Sequence, residues 1–437
     1  MQTVIKIEDE LNILDEHIKK MNAGKIMLVC GSSIRFLRYD SYFRKLQKRL
    51  GIEVIRFSDF TPNPTYDSVV KGVEMYNKEQ CDMIVAVGGG SAMDVAKCIK
   101  LYANMYVPLN TDENQEARGK DADYIENEIE HNTIPFIAIP TTAGTGSEAT
   151  HFAVIYYKGK KKSVEHESCV PSIVVMDSSV LSELPLYQKK ATVLDAFCHA
   201  VESYWSVNST AESKEYSLNA LKLLIGNMET YLGIKLFDES TFRDVSMNDT
   251  KIKLNDTGIA GYSDIISECE LNINNKKNVD VSNGSMKIVY DNMLKASYLA
   301  GKAINITKTT AGHAMCYKLT SLYGIAHGQA AFLCVAKLLP YMTRHTDDCI
   351  DPRGRQYLIE IFDELAKVLG LEGLDKLGMM FDSMITRLQL EIPDVSDEDY
   401  LILKTSVNPE RLKNNPVSLN ENQIDKLYHE ILSNNIQ

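Results

Sequence analysis

The chain lacks the features that mark membrane, disulfide-rich and nucleic-acid-binding proteins. It contains no run of about 18 apolar residues, the length that a membrane-spanning helix requires. Its nine cysteines are scattered with no CxxC pair, which gives no disulfide framework and fits a reducing compartment. Basic residues number 47 against 59 acidic ones, and the net charge of −12 disfavours a nucleic-acid partner.

The N-terminal segment also lacks the apolar core and cleavage site of a signal peptide. Residues 1–21, MQTVIKIEDELNILDEHIKKM, have instead the spacing of an amphipathic helix. With 44% hydrophobic and 24% charged residues the composition is that of a globular protein, and 437 residues are enough for two domains. We therefore expect a cytoplasmic protein without membrane contact.

Strand and helix patterns alternate in the first part of the chain. The runs KIMLVC, EVIRF, DMIVAVGGG, IPFIAIPTT and SIVVMD predict buried strands, with helical segments such as DSYFRKLQKRLG and TYDSVVKGVEMYNKEQ between them. This alternation predicts a parallel sheet covered by helices on both faces. After Pro185 the periodicity is helical, so we predict an α/β Rossmann-like domain over residues 1–184 and an all-helical domain over residues 185–437.

Residues 236–292 differ in character from the helical segments around them. They are rich in Asn, Asp, Ser and Gly and contain short alternating runs such as SMKIVYD. We interpret this stretch as an insertion into the helical domain, either a small β-lobe or a surface loop.

A glycine-rich loop follows the strand pattern MIVAV. Gly89 and Gly90 end this strand, Ser91 begins a helix, and Asp94 falls in the predicted first turn. Glycines let a ligand approach the backbone, and the free N–H groups of a helix start favour a phosphate, so a dinucleotide pyrophosphate suits this loop. The spacing differs from GxGxxG, and Asp94 is also explained as a carboxylate stabilised by the helix dipole.

A second loop of this kind follows the next strand, in IAIPTTAGTGSEAT. Its hydroxyls on Thr141, Thr142 and Thr145 are explained either as local caps or as ligand contacts. Because the carboxyl ends of neighbouring parallel strands line one crevice, the two loops together favour a dinucleotide site.

Four side chains in the helical part are candidates for metal binding. Asp195 and His199 are four residues apart and share one helix face, while His313 and His327 occur in otherwise apolar segments. Each histidine alone is better explained as a hydrogen-bonded core residue. One carboxylate and three imidazoles together would suit Fe(II) or Zn(II) and leave room for a substrate oxygen.

The motifs GGGSAMD, TTAGTGSE and DAFCHAVES, with the His313 and His327 pair and SDFTPNPTYDSVVKGV, resemble the iron-containing (group III) alcohol dehydrogenases. The resemblance runs through nearly all of residues 20–350 apart from the insertion. It implies a dinucleotide-binding α/β domain, a helical domain and catalysis in the cleft between them, an architecture shared with dehydroquinate synthase. It assigns the four metal ligands to Asp195, His199, His313 and His327. It assigns cofactor contacts to Gly89, Gly90, Ser91, Asp94, Thr141, Thr142, Thr145 and Lys161, the last on the turn after the second loop.

Two features depart from the family pattern. Many members carry a further histidine four residues after the third ligand as a proton relay, but here that position is Tyr317. We expect a tyrosine there to hydrogen-bond the nascent alkoxide. The insertion is the second departure. Within the family, the segments SVNSTAESKEYS, KSVEHESCVP and AMCYKLTSLYGIAHG look most similar to phosphonoacetaldehyde reductases.

The resemblance therefore predicts a homodimeric alcohol dehydrogenase or aldehyde reductase that uses Fe(II) or Zn(II) and NAD(P)H. An anionic aldehyde such as phosphonoacetaldehyde is the expected substrate, with Lys160, Lys161, Lys162 and His166 as its cationic surroundings or as a solvated turn. Three alternatives remain. They are a dehydrogenase for neutral short-chain alcohols, a dehydroquinate-synthase-like carbon–oxygen lyase, and a binding protein whose function lies in the insertion.

The end of the first predicted strand bears on the choice between NADH and NADPH. NAD-preferring members of the family commonly carry an Asp there, whereas this chain has Gly31, Ser32 and Ser33. Without that carboxylate a 2′-phosphate is not repelled, and Arg35 or Arg38 would supply positive charge. We predict a preference for NADP(H), the alternative being that these residues only form a tight turn.

Overall fold

The computed structural model describes residues 2–8, 10–103, 105, 131–237 and 283–433. Most of the predicted insertion, residues 238–282, lies outside the described residues, so neither interpretation of it is tested. Within the described ranges all eight cysteines are free thiols.

A six-stranded, all-parallel sheet forms the first part of the chain. Its strand order is β1-β8-β5-β4-β2-β3, and a separate antiparallel hairpin pairs β6 with β7. The five strands predicted from apolar runs are all confirmed. The strands are β1 (Thr3–Lys6), β2 (Lys25–Cys30), β3 (Glu53–Phe57), β4 (Met83–Gly88), β5 (Phe136–Pro140), β6 (Phe152–Tyr157), β7 (Lys160–Glu165) and β8 (Ile173–Met176).

The central strands are continuous apolar runs because both of their faces are buried. In β2, Ile26 and Leu28 pack into the core that continues into the helical part, while Met27 and Val29 face the core under α4 and α5. The helices of this part are α1 (Asn12–Lys20), α2 (Arg38–Arg44), α3 (Leu46–Leu50), α4 (Tyr66–Lys78) and α5 (Gly90–Tyr102). The predicted parallel sheet with helices on both faces is confirmed.

From Leu186 onward, every regular element of the described residues is helical, as predicted. The helices are α6 (Leu186–Trp205), α7 (Ala211–Leu232), α8 (Asn283–Thr307), α9 (Ala311–Tyr323), α10 (His327–Arg344), α11 (Arg355–Val368), α12 (Leu377–Leu388), α13 (Asp397–Thr405), α14 (Pro409–Leu412) and α15 (Glu421–Leu432). Helix α7 begins with a capping box between Thr210 and Ser213 and ends at Gly233 in the left-handed conformation.

The prediction of an N-terminal helix is wrong for the first residues. Residues 3–6 form β1, an edge strand parallel to β8, and the helix begins only at Asn12. The Ile7 N–H donates to the Met176 carbonyl at 2.8 Å, and Ile5 and Ile7 are buried. The backbone hydrogen bonds to β8 favour a strand here although the apolar spacing is helical. An edge strand is compatible with these residues because it needs only one buried face.

Two further segments differ from the prediction. The turn that was expected to carry Lys161 is a two-stranded hairpin, and Lys161 lies on β7 opposite Tyr156. The alternating run at the end of the predicted insertion, residues 283–292, belongs to helix α8. Consecutive lysines conceal the period of β7, and the apolar residues of α8 pack against α6 and α7, which favours the helix.

Helix α8 touches the loop after β5 backbone to backbone. Gly146 has a φ of +59°, and a Cβ there would lie 2.5 Å from the Gly301 Cα. A Cβ on Gly301 would in turn lie 2.8 Å from the Gly146 Cα. The two glycines therefore set the distance between the edge of the sheet and the helices.

We expect Gly301→Ala to lower the midpoint of thermal unfolding. The added methyl group overlaps the Gly146 backbone, which neither segment can relieve without shifting, and such overpacking costs about 1–3 kcal/mol. Gly378→Ala is the matched control, because Gly378 is also helical and a Cβ there meets nothing within 4 Å. The control should leave the midpoint unchanged or raise it. A Gly301→Ala protein as stable as wild type would contradict this packing.

Candidate active site

Three of the predicted cofactor segments meet at the carboxyl edge of the sheet. Strand β4 pairs with β2 on one side and β5 on the other, so the loops that follow these strands are neighbours. A Cβ on Gly89 would lie 3.1 Å from the Thr142 Oγ1, and a Cβ on Gly90 would lie 2.9 Å from the Thr145 Cγ2. The two glycine and hydroxyl loops are thus packed together, as the sequence predicts.

Helix α5 begins directly after this edge. Its first residue is Gly90, so Asp94 lies beyond the first turn, contrary to the expectation from the sequence. The Asp94 Oδ1 accepts a hydrogen bond from the Ser147 Oγ at 3.0 Å. Burial raises the pKa of Asp94 to about 6, against the opposing charge of Lys97. Asp94 therefore ties the β4 loop to the β5 loop.

Lys97, which sequence reasoning did not select, ties the same two loops. Its side chain is fully buried, and the Nζ donates to four oxygens. These are the Ser147 carbonyl at 2.5 Å, the Ser147 Oγ at 3.0 Å, the Thr150 Oγ1 at 2.9 Å and the Phe152 carbonyl at 2.8 Å. The only sequence signal for this role of Lys97 is that it follows Asp94 by three residues on one helix, and this spacing is not specific.

The residues after β2 form a short 3₁₀ helix, Ser32–Phe36, beside β4. Gly31 has extended backbone, and a Cβ on it would meet only the Ser33 Oγ, at 4.0 Å. Arg38 is engaged elsewhere, because its Nε donates to the Asp177 Oδ2 at 2.9 Å. Of the two arginines considered for a 2′-phosphate, Arg35 is the exposed one, and its guanidinium lies over the Phe36 ring.

The four predicted metal ligands converge on one carboxylate oxygen. The Nε2 atoms of His313, His199 and His327 lie 3.5, 3.8 and 4.0 Å from the Asp195 Oδ1. The ligand atoms of Asp195, His313 and His327 all lie within 4.8 Å of one another, and the His199 ring stacks on His313 at 4.6 Å. Asp195 and His199 come from α6, more than a hundred positions before His313 on α9 and His327 on α10.

Glu202 supports this cluster and was missed by sequence reasoning. Its carboxylate contacts the His313 Nδ1, and its Oε1 accepts from the Thr310 N–H at 3.1 Å, the Thr310 Oγ1 at 2.6 Å and the His313 N–H at 3.2 Å. The Trp205 Nε1 donates to the same Thr310 hydroxyl at 2.9 Å. The available sequence signal for Glu202 was its position, three residues after His199 and on the helix face that carries Asp195.

The electrostatics of the cluster favour a cation. Burial raises the pKa of Asp195, but the histidines around it outweigh burial and hold this pKa well below its usual range. Burial lowers the pKa of His199 to about 4, and desolvation together with Lys161 lowers that of His327. Burial also lowers the pKa of His313, but the charges of Glu202 and Asp195 outweigh burial and raise this pKa to about 10. The two buried carboxylates thus stabilise a positive charge at His313, while burial keeps His199 and His327 neutral.

The unpaired atoms test whether a metal ion fits. Among the described residues, the Asp195 Oδ1 and the His313 Nε2 are buried and have no hydrogen-bond partner, although they lie 3.5 Å apart. Ligands at about 2.1 Å from one tetrahedral ion are about 3.4 Å apart, so this separation matches shared coordination. The His313 Nδ1, held by Glu202, leaves Nε2 directed at the cluster, as in carboxylate–histidine–metal arrangements. The donor set fits Fe(II) or Zn(II).

Lys161 and Tyr317 lie beside this cluster. The Lys161 Nζ is 3.3 Å from the centroid of the Tyr317 ring, and that ring stacks on His327 at 5.6 Å. Burial lowers the pKa of Lys161, and the charges that act on it include Asp94 and Asp195. The Lys161 ammonium forms no side-chain hydrogen bond or ion pair with any residue of the described ranges, while the backbone of Lys161 pairs with β6. It therefore stands between the cofactor loops and the histidine cluster.

The fold and the cluster define an oxidoreductase built of a Rossmann-like sheet and a helical part. Two family models match the chain: "iron-containing alcohol dehydrogenase" over residues 2–178 and "Fe-containing alcohol dehydrogenase family, C-terminal" over residues 265–432. Together they cover more than three quarters of the sequence. The chain belongs to the iron-containing alcohol dehydrogenase family.

Similar proteins span most of the chain. Alcohol dehydrogenase 4 of Saccharomyces cerevisiae is 28% identical, over 81% of this chain and 76% of its own length. Phosphonoacetaldehyde reductase of Streptomyces viridochromogenes is 26% identical, over 84% and 80%. The crystal structure of sulfoacetaldehyde reductase from Bifidobacterium kashiwanohense in complex with NAD+ superposes with a TM-score of 0.73 at 22% identity, over 99% and 98% of the two chains, and shows the fold. No described helix has the length and apolarity needed to cross a membrane.

Proposed function

We propose that this protein is a metal-dependent aldehyde reductase that uses NAD(P)H. Residues 1–184 form its cofactor domain and residues 185–437 its metal domain. The observation that carries the proposal is the convergence of three imidazole Nε2 atoms within 4.0 Å of the Asp195 Oδ1, beside the glycine loops of the sheet. A resident metal ion would supply Lewis acidity toward an aldehyde oxygen, and a nicotinamide would supply hydride.

The metal and the cofactor are bound by different residues, on the two sides of the cleft. Asp195, His199, His313 and His327 hold the metal. The cofactor is held by Gly31, Ser32, Ser33, Gly89, Gly90, Ser91, Asp94, Thr141, Thr142, Thr145 and Lys161. Glu202 keeps His313 oriented. The loops tied by Asp94 and Lys97 keep the pyrophosphate side rigid, so that cofactor and aldehyde are oriented before reaction.

The proton that completes reduction comes from water or from Tyr317. The Tyr317 ring lies against His327, and this contact supports a role at the sequence position where the family resemblance expects a relay histidine. Burial raises the pKa of Tyr317, so the phenol keeps its proton at neutral pH. A protonated phenol is able to donate this proton, and the raised pKa makes it a weaker acid than a free tyrosine.

An anionic aldehyde is the substrate that the charge distribution favours. The Lys161 ammonium has no anionic partner among the described residues, and a desolvated cation gains most from a charged ligand. Two similar proteins are named for reduction of phosphonoacetaldehyde and sulfoacetaldehyde, which are both anionic. We propose phosphonoacetaldehyde or a related anionic aldehyde, with neutral aldehydes as weaker substrates.

The metal-loaded protein should oxidise NADPH in the presence of an aldehyde, measured as loss of nicotinamide absorbance. His313→Ala should abolish both metal retention and reduction, because it removes one ligand and leaves the Glu202 Oε2 without its imidazole partner. Nucleotide binding should persist, since His313 is not among the residues that hold the cofactor. Wild-type rates in His313→Ala would refute the metal site. No net cofactor turnover with any carbonyl would favour the lyase reaction instead.

Substrate charge is tested with Lys161→Met. The change should lower kcat/KM more for phosphonoacetaldehyde than for propanal, because only the anionic aldehyde loses a charge-assisted contact, which contributes about 1.5–3 kcal/mol. Lys162→Met is the matched control, since Lys162 is the next residue of β7 and is exposed. An equal loss for both aldehydes would assign Lys161 to the cofactor alone. If the wild type reduces both aldehydes with equal kcat/KM, the proposal of an anionic substrate is refuted.

The protein is predicted to prefer NADPH, because no carboxylate follows β2 and Arg35 is exposed beside it. Gly31→Asp should shift the preference toward NADH by about 1–3 kcal/mol, through repulsion of the 2′-phosphate. The backbone and surroundings of Gly31 accept a side chain, so this variant should fold. The measurement is the ratio of kcat/KM for the two cofactors. A wild type that already prefers NADH would overturn the prediction.

A further inference from the structure

The thiol of Cys316 lies between two of the predicted metal ligands. Its Sγ donates to the His313 carbonyl at 3.3 Å, the carbonyl three residues earlier in helix α9. The same Sγ lies 3.5 Å from the Nδ1 of His327, the first residue of helix α10. Cys316 thus connects the helices that carry these two histidines.

Both contacts are hydrogen bonds at the same time in only one arrangement of protons. The carbonyl can only accept, so in that arrangement the S–H donates to His313 and the sulfur offers only lone pairs to His327. The His327 Nδ1 must therefore be the donor in the second contact. A neutral imidazole protonated on Nδ1 has an unprotonated Nε2, and that atom lies 4.0 Å from the Asp195 Oδ1. This is the tautomer that a metal ligand at Nε2 requires.

His327 needs this support more than His313 does. The His327 side chain is 34% exposed, whereas those of His313, Asp195 and His199 are 2%, 4% and 8% exposed. His313 has Glu202 at its Nδ1, but the only described hydrogen bond of the His327 ring is the one to Cys316. Tyr317 stacks on the face of the His327 ring and so restrains the tilt of this ring. Rotation of the ring within its own plane is restrained by the contact with the thiol.

We propose that Cys316 is a positioning residue that holds His327 in the metal-binding tautomer and rotamer. The inference rests on the proposed metal site and assigns to the thiol the part that Glu202 has for His313. Partners of this kind commonly change metal affinity when removed, by roughly 10- to 100-fold.

The test compares Cys316→Ala with Cys334→Ala. Cys334 is equally buried and lies in helix α10, and its thiol makes no side-chain hydrogen bond within the described ranges, so its replacement removes the same volume without removing a hydrogen bond. Metal affinity of each full-length holoenzyme is measured by competition with a chromophoric chelator. The visible spectrum of the Co(II)-substituted proteins reports on the ligand geometry.

We expect Cys316→Ala to bind metal about 10-fold more weakly than wild type or more, with a changed Co(II) spectrum. Cys334→Ala should match wild type in both. Cys316→Ser should restore part of the affinity, because a hydroxyl donates and accepts in the same directions. Cys316→Val, which fills the space without a hydrogen bond, should resemble Cys316→Ala and replaces it if that variant does not fold.

Other outcomes separate the two proposals. If wild type itself retains no metal, the metal site fails. If wild type retains metal and Cys316→Ala binds it as tightly as Cys334→Ala, the role of Cys316 is refuted while the metal site stands. Equal weakening in Cys316→Ser, Cys316→Ala and Cys334→Ala would assign the effect to core packing and also refute the role of the thiol.

Discussion

Two carboxylates buried in the helical part impose the main constraint on this molecule. Asp195 and Glu202 lie on the same helix, α6, and are almost inaccessible to water. Burial of an uncompensated carboxylate is costly, so the surrounding helices must bring cations or hydrogen-bond donors to them. Glu202 receives Thr310 and the backbone and ring of His313, whereas Asp195 faces three imidazoles. The arrangement of α9 and α10 around α6 follows from this requirement.

The same helix connects the cluster to the sheet. A Cβ on Gly144, in the loop after β5, would collide with the backbone of Thr192 in α6, and Gly146 touches Gly301 of α8. The β5 loop is therefore held from the helical side by close backbone contacts and from the sheet side by Lys97 and Asp94. A loop fixed from both sides can keep cofactor and metal in a constant relation, which hydride transfer demands.

Much of this arrangement could be predicted from local sequence. Buried parallel strands are continuous apolar runs, so five of the six sheet strands could be identified. The spacing of Asp195 and His199 placed both on one helix face. Strand β1 was missed because it is a four-residue edge strand that buries only Ile5, and β7 because consecutive lysines precede Val164, its one buried residue. Glu202 shares the spacing signal of His199, but its partner Thr310 is 108 positions away, and no local pattern reports such a contact.

The four predicted ligands differ in exposure, so the cluster has a closed side and an open side. The Glu202, Thr310 and Trp205 network closes the side of His313, while the His327 side is open to solvent. Lys161 from the β6–β7 hairpin and Tyr317 from α9 lie at that open side. A ligand that enters there meets an ammonium and a phenol before it reaches the histidines. In the proposed function, substrate choice is therefore expected to depend on the hairpin and on α9, whereas on α6 Asp195 would bind the metal and Glu202 would orient His313.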